Sequence, residues 1–478
     1  MTINGAKILG IFPTPSYSHQ QVYQVIMKAL ATRGHEITVI STDPLKEPVA
    51  NYTDIDMSFC YKIHRAVHDF ESMDKMTPYE FVNLQVEFLP QLTDYQLSSP
   101  QLQEFIRLHN NTRKYDLVFL EVILYQTYYG LIHLLGSPPV IGIMPVEILS
   151  FPGYSLALPI ISSYMSNFML PYSNRMSFYE RFHNLFFSMW MSIKETDKNM
   201  SLLMIAADWV FNYPISVPPS IVTFHGVHVK KTSDPLPKEL QTFLDKSVEG
   251  VIYFSFGSNV HSSRMPKQKI QAFHDAFSEL PYKILWKWES DAIATHTSNI
   301  MFGKWLPQQD VLAHPNTILF ITHCGGMSFQ EAVYHAVPIL GIPFFGDQKY
   351  NVKKITEANI GIHLPFQETT KETLLNAINK ILEDPSYRNN MEKLSSISKD
   401  QPQDSIEKAV WWTEYVLRHG GARHLRSAAV DLNWYQYLLL DVMSVLIISI
   451  LFTLFLCYII VKVVSNLIAI SLTKHKLD

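Results

Sequence analysis

The sequence predicts an α/β protein built from two facing parallel-sheet halves and one membrane-spanning helix. Three observations carry this. From residue 7 onward, short apolar runs alternate with segments of helical period, the pattern of strand–helix–strand units in a parallel sheet. The alternation breaks at a proline-rich stretch, Asn212–Gln241, and restarts near residue 250. Near the C-terminus, Val442–Val461 carries no charged side chain and as a helix is about 30 Å long, enough to cross a bilayer.

Each element has its own signal. "KILGIF" (Lys7–Phe12) reads as a buried strand, "PTPSYSHQ" as a loop, Gln21–Gly34 as a helix stopped by Gly34, and His35–Ser41 as the next strand. Tyr115–Leu124 and Gly136–Met144 continue the series. Residues 150–210 are rich in Phe, Tyr, Met and Ser. They suit helices packed on the sheet, an apolar acceptor pocket, or both. Asn212–Gln241 reads as a linker, with its prolines and the Lys230–Lys231 pair. Strands then follow at Gly250–Ser258, Tyr282–Trp288, Asn299–Leu306, Thr317–His323 and Val337–Pro343, with a helix over Gln268–Leu280. The halves are drawn as 1–230 and 231–430, Rossmann-like in pattern, followed by a membrane helix over 438–464 and a short basic tail over 465–478. Ligands of such sheets sit at the C-terminal strand ends, so two facing halves make a cleft.

Composition excludes several classes. The formal net charge is −4, which gives no basic surface for nucleic acid. Cys60, Cys324 and Cys457 are too few and too scattered for a disulfide framework or a cysteine-rich zinc site. Sequons begin at Asn51, Asn110 and Asn199. The N-terminal residues show no secretory signal, because Lys7–Phe12 is too short for an apolar h-region.

Polar groups concentrate in "WLPQQDVLAHPNTILFITHCGGMSFQEAVYHAVPILGIPFFGDQKYN", Trp305–Asn351. His323 falls at a strand end, "CGGMS" is a glycine-bearing turn, and Phe329–Ala336 is a helix. A strand, glycine turn and helix start leave bare N–H groups that bind an anion. Gly325 and Gly326 admit a phosphate, Ser328 lies near the N-cap, and His323 adds a donor or a positive charge. The pattern is neither a P-loop nor Gly-x-Gly-x-x-Gly. Glu331, expected on the first helical turn, either complements the helix dipole or accepts vicinal ribose hydroxyls. Trp305 offers a flat face to a base. Asp347 and Gln348, at another strand end, suit sugar hydroxyls. Together these groups meet the needs of a nucleoside diphosphate sugar.

This stretch resembles the signature of the UDP-glycosyltransferases, on Trp305, Pro307, Gln308, His314, Thr322, His323, Gly325, Ser328, Glu331, Pro338, Pro343, Asp347, Gln348 and Asn351. "GVIYFSFGSN", "LPKELQTFLD", "RMSFYERF" and "WYQYLLLDV" extend the likeness over nearly the whole chain, nearest to the insect branch of the membrane-bound enzymes. The resemblance implies the GT-B fold, an N-terminal acceptor-binding half and a C-terminal UDP-sugar-binding half. It implies that Trp305 stacks on uracil, Gln308 contacts the uridine, and Ser258, His323, Gly325 and Ser328 hold the diphosphate. Glu331 would take the ribose, and Asp347 and Gln348 the sugar. Met327 departs from the family pattern and removes a polar contact to the donor.

The resemblance also implies a catalytic base in the loop after the first strand, which is His19. A base that accepts the acceptor proton contributes about 10²–10⁴-fold. Its carboxylate partner falls on Glu121 of "YDLVFLE", one methylene longer than the family's Asp; Asp116 is read as a strand-start cap. The implied reaction is an inverting, metal-independent transfer of a hexose, glucose in the insect branch. The acceptors are hydroxyls of small lipophilic molecules, as in detoxification or in hormone and pigment conjugation, and no cofactor beyond the UDP-sugar co-substrate is required. Partners expected are the donor, the acceptor and a lipid bilayer, with a homo-oligomer open as an assembly. A membrane-anchored UDP-sugar-binding protein without transfer is the alternative, resting on Met327 and Glu121. A metal-dependent transferase using Asp54 and Asp56 is a third reading. The family further implies a single-pass type I glycoprotein of the endoplasmic reticulum with lumenal catalytic halves, and Lys474 and Lys476 suit a retrieval signal.

Overall fold

The computed structural model describes residues 5–67, 73, 75–109, 114–123, 125, 127–147, 156, 158, 161–192, 200–208, 210, 212–291 and 297–474. The sequons at Asn110 and Asn199 and the tail residue Lys476 lie outside these. Asn51 is exposed, in a left-handed turn with φ 60°.

The first half holds strands β1 (Lys7–Phe12), β2 (Glu36–Ser41), β3 (Tyr52–Asp56), β4 (Leu117–Glu121), β5 (Val140–Met144), β6 (Met200–Ala206) and β7 (Ile221–Phe224). They form one parallel sheet in the order β3-β2-β1-β4-β5-β6-β7. Its helices are α1 (Tyr17–Thr32), α2 (Cys60–Val67), α3 (Pro78–Leu97), α4 (Pro100–His109), α5 (Tyr128–Leu134) and α6 (Phe178–Ser192). Central strands are buried on both faces, which is why they read as continuous apolar runs. Side chains alternate between two cores. Ile8, Phe12, Ile37, Val39 and Phe119 pack with Val22, Tyr23, Ile26 and Leu30 of α1. Leu9, Ile11, Ile40, Val118 and Leu120 pack with residues of α3, α4 and α5.

The second half repeats the plan with β8 (Val251–Ser255), β9 (Lys283–Lys287), β10 (Ile300–Gly303), β11 (Thr317–Thr322), β12 (Ile339–Gly341) and β13 (Gly361–His363). Their order is β10-β9-β8-β11-β12-β13, again parallel. Helices α7 (Lys238–Asp245), α8 (Lys267–Glu279), α9 (Gln308–Ala313), α10 (Gly326–Tyr334), α11 (Gln348–Glu357), α12 (Lys371–Glu383) and α13 (Pro385–Lys399) cover it. Helix α14 (Ser405–Arg418) then returns to the first half. Its Ala409, Val410 and Val416 join the α1 core, Glu407 pairs with Arg33, and Lys408 Nζ donates to the Thr223 carbonyl.

Several sequence expectations change. Helix α1 starts at Tyr17, four residues early, so His19 lies in its first turn rather than in a loop. The presumed linker 212–241 contains β7, a short edge strand that its flanking prolines disguise. The aromatic segment gives α6, whose Phe187 and Met191 join a core cluster while other large apolar residues face outward. Its polar Asn184 and Ser188 are buried, with Asn184 Nδ2 donating to the carbonyls of Ser162 and Met165, while Phe178, Tyr179, Phe182 and Phe186 are exposed. Asp54 and Asp56 sit on edge strand β3. There Asp54 Oδ2 accepts from Leu45 N and Asp56 Oδ1 accepts from Ser58 N, the ordinary work of turn-forming aspartates.

A second compact unit, Ser427–Asp478, contains α15 (Trp434–Tyr437) and α16 (Leu440–Lys474). Within α16, Leu440–Ile468 is 29 residues with mean hydropathy 2.8 and no buried share. Such a helix fits a single-pass membrane anchor.

Candidate active site

Both sheets reverse their strand order at one seam, β1/β4 in the first half and β8/β11 in the second. Ligands of open parallel sheets bind at the carboxyl ends beside such a seam. The sequence-selected residues fall there. Glu121 ends β4, fully buried, and Oε1 lies 2.8 Å from His19 Nδ1 on the neighbouring α1. Its other oxygen accepts from Thr14 N at 3.1 Å. Gln20 fixes the turn between β1 and α1 by donating to the carbonyls of Phe12 and Thr14 and to Thr42 Oγ1. With Nδ1–H directed at Glu121, Nε2 of His19 is left as the basic nitrogen.

Across the cleft, β8 runs into Gly257–Ser258 and β11 into His323. The His323 ring is held between two glycines. A Cβ on Gly257 would stand 2.6 Å from its Cε1, and one on Gly325 2.5 Å from its Nε2. The left-handed residue in this turn is Cys324, with φ 64°, not either glycine of the pair. Gly325, at φ −61°, is therefore required for space rather than for backbone freedom. Burial, aided by the Lys287 ammonium, lowers the His323 pKa to about 3. The ring is thus neutral at physiological pH, with one N–H to donate. Of the two roles the sequence left open, a donor or a positive charge, the donor is the one this setting favours, because burial and the Lys287 ammonium both disfavour the charged ring.

Helix α10 starts at Gly326, three residues earlier than expected, with Gly325 as N-cap. Its first turn, Gly326, Met327 and Ser328, lines the cavity. Glu331 consequently lies in the second turn, so complementing the dipole does not explain it. It is 3% exposed, a buried carboxylate that must be paired. Gln308 Nε2 donates to Oε2 at 2.6 Å and also to Ser328 Oγ at 3.0 Å; Gln309 Nε2 donates to Oε1 at 3.2 Å. Trp305 follows β10 with 56% of its surface exposed. Tyr17 of the first half meets its ring edge-on at 4.7 Å, leaving a flat face for a base.

Asp347 and Gln348 open α11. Gln348 Oε1 accepts from Phe344 N and Phe345 N at 2.8 and 3.2 Å, which pins the side chain and leaves its amide nitrogen for a ligand. Asp347 Oδ2 accepts from Asn351 Nδ2 at 2.7 Å. Desolvation raises the Asp347 pKa, partly offset by Asn351 and by nearby His19.

His19, Ser258, Trp305, Gln308, His323, Gly325, Ser328, Glu331, Asp347 and Gln348 all line one cavity of about 440 Å³ between the halves; Glu121 stands behind His19. Its apolar end is made by Phe81, Leu89, Phe168, Met169 and Phe345, with Phe81 stacked on Phe345 across the cleft at 5.8 Å. Sequence reading missed Phe81, Gln309 and Lys287. Lys287 carried a signal: it interrupts the apolar run "ILWKW" at a strand end, and is 6% exposed with Nζ 2.8 Å from Glu289 Oε1. Phe81 carried none, because nothing in α3 distinguishes a cleft-facing aromatic from a core one.

The comparisons agree with this geometry. The profile described as UDP-glucoronosyl and UDP-glucosyl transferase matches residues 191–475. UDP-glycosyltransferase UGT5 of Dactylopius coccus is 33% identical, over 96% of this chain and 92% of its own. Human UDP-glucuronosyltransferase 2B7 is 32% identical, over 92% and 90%. Among solved structures, a UDP-glucosyltransferase from Polygonum tinctorium, in complex with 3,4-dichloroaniline, superimposes with a TM-score of 0.56 at 16% identity, over 87% of this chain and all of that one. A glycotransferase of kitacinnamycin gives 0.52 at 16%; at such identity these two speak for the fold, GT-B, alone. With a seam-sited cleft in each half and relatives alike over nine-tenths of its length, the chain belongs to the UDP-glycosyltransferase family, enzymes that move a sugar from a UDP-sugar to a small acceptor.

Proposed function

We propose that the chain transfers glucose from UDP-glucose to a hydroxyl of small lipophilic acceptors, by one displacement that inverts the anomeric carbon and needs no metal. The supporting observation is the His19–Glu121 dyad, facing a cavity whose other wall is the α10 N-terminus. In this reading His19 Nε2 takes the proton as the acceptor oxygen attacks. The bond from the anomeric carbon to the phosphate oxygen breaks, and UDP leaves with the electron pair. Glu121 holds Nδ1–H and stabilises the imidazolium that forms. The α10 N–H groups, Ser258, Ser328 and the neutral His323 meet the charge gained by the diphosphate.

The sugar end favours a neutral hexose. The lysines lining the cavity, Lys230 and Lys287, are each paired with carboxylates: Asp234 and Asp310 for Lys230, Glu289 for Lys287. Lys287 lies 5.9 Å from the Trp305 ring, at the base end. A uronate carboxylate would instead meet Asp347. The apolar walls, Phe81, Phe168, Met169 and Phe345, suit flat acceptors such as phenols, and the physiological use is conjugation for detoxification or for hormones and pigments. Helix α16 anchors the chain in the endoplasmic-reticulum bilayer.

The test is transfer by membranes carrying the full chain, with UDP-glucose, UDP-glucuronic acid and a panel of phenols, with and without EDTA. The expected product from the α-linked donor is the β-glucoside by NMR, unaffected by EDTA. An α-glucoside, or preferred use of UDP-glucuronic acid, contradicts the reading.

A further inference from the structure

Behind Glu331, outside the cavity lining, lies His228. His228 follows β7 on the segment that joins the two halves. Its side chain is fully buried, and Nε2 stands 3.4 Å from Glu331 Oε1. Among the described residues neither ring nitrogen makes an aligned hydrogen bond. The segment around it is fastened to the start of α9. Gln309 Nε2 donates to the His228 carbonyl at 3.1 Å and Gln309 Oε1 accepts from Lys230 N at 2.7 Å. Lys230 Nζ and Asp234 N both bind Asp310, at 2.9 and 2.8 Å.

We propose that His228 is a positioning residue for the donor: its Nε2–H donates to Glu331 Oε1 and sets the carboxylate to receive the ribose hydroxyls. This rests on Glu331 as the ribose acceptor. A buried nitrogen without an aligned partner, this close to a carboxylate, is an incomplete hydrogen bond, and such contacts tighten when the ligand arrives. Gln308 and Gln309 hold Glu331 from the cleft side and from α9. His228 holds it from the joining segment, so the linker takes part in donor recognition as well as in connecting the halves. A carboxylate offers about four lone-pair sites, so these three donors leave one open to a ribose hydroxyl.

The full chain in membranes is assayed with UDP-glucose and with 2′-deoxy-UDP-glucose against a simple phenol. His228→Phe keeps the ring volume and removes the donor. Loss of a hydrogen bond to a charged group weakens binding by roughly tenfold or more. The expected result is a KM for UDP-glucose raised by that factor, with kcat and the phenol KM held within about twofold. KM for the 2′-deoxy donor changes little, and His228→Gln recovers most of the loss. His228→Leu, which also lacks a donor, is read in the same way if the Phe variant fails to accumulate. Equal weakening toward both donors, or no change toward either, overturns the inference. Glu331→Gln separates the two ideas. If it leaves the gap between the donors intact, the ribose reading itself fails; if it closes the gap while His228 variants do not, the His228 inference alone fails.

Discussion

His19 Nδ1 lies 2.8 Å from Glu121 Oε1, across the seam where β1 and β4 pair. The longer Glu reaches the ring because Thr14 N ties its second oxygen to the turn before α1. Glu121→Gln keeps an acceptor for Nδ1–H but removes the charge that stabilises an imidazolium. The expected loss in kcat is about a hundredfold, and Glu121→Asp should fall between Gln and wild type. Steady-state rates at saturating donor and acceptor check this.

The two glycines around His323 give a steric test. Gly325→Ala puts a methyl 2.5 Å from Nε2 with no backbone penalty; Gly257→Ala adds a left-handed strain at φ 79° to a contact of 2.6 Å. Displacing a donor group by about 1 Å can cost about a hundredfold, so kcat/KM for UDP-glucose should fall by that order in both. Both contacts cost stability, and Gly257→Ala should lose about 1 kcal/mol more than Gly325→Ala through its left-handed backbone. Kinetics alongside thermal melts separate the two effects.

His323 predicts a pH effect of definite sign. Its folded pKa, about 3, is below the ordinary 6.5. Between those values the unfolded chain binds more protons, so stability is present above 6.5 and is lost as pH falls. At about pH 5 this ring alone costs about 2 kcal/mol. His323→Gln removes that part. The difference in stability between wild type and variant, measured by denaturant titration, should shift by this amount between about pH 7 and about pH 5.

Glu147, after β5, and Lys354, on α11, form a buried ion pair between the halves at 2.6 Å. Asn212 Oδ1 also accepts from Lys354 Nζ, at 3.0 Å, and the Tyr350 ring lies 4.0 Å away. Burial lowers the Lys354 pKa and raises that of Glu147. Lys354→Met leaves a carboxylate buried and unpaired, at a cost of about 3–5 kcal/mol. Adding Glu147→Leu should restore most of it. Urea unfolding of the single and double variants tests this.

Much of this was legible in the chain. Fully buried strands such as β1 and β11 announce themselves, because both faces demand apolar residues. Edge strands do not: β3 carries Asp54 and Asp56, and β7 is framed by prolines. The position of Glu331 was visible as a polar interruption, but its setting was not, because the true start of α10 depends on Gly325 as N-cap. Met327 looked like a lost polar contact. It is 5% exposed and belongs to the apolar cluster of the opposite half, whose members are distant in sequence. His228 could not be chosen, since no local pattern reports what lies behind a carboxylate from another domain.

The most direct test of the account is the ratio of wild-type to His19→Ala turnover with UDP-glucose across phenols of increasing acidity. A base that removes the acceptor proton predicts a loss of about 10²–10⁴-fold for weakly acidic phenols, shrinking steadily as the phenol becomes able to ionise unaided. Equal turnover by the two proteins, or a loss that ignores acceptor acidity, would contradict it.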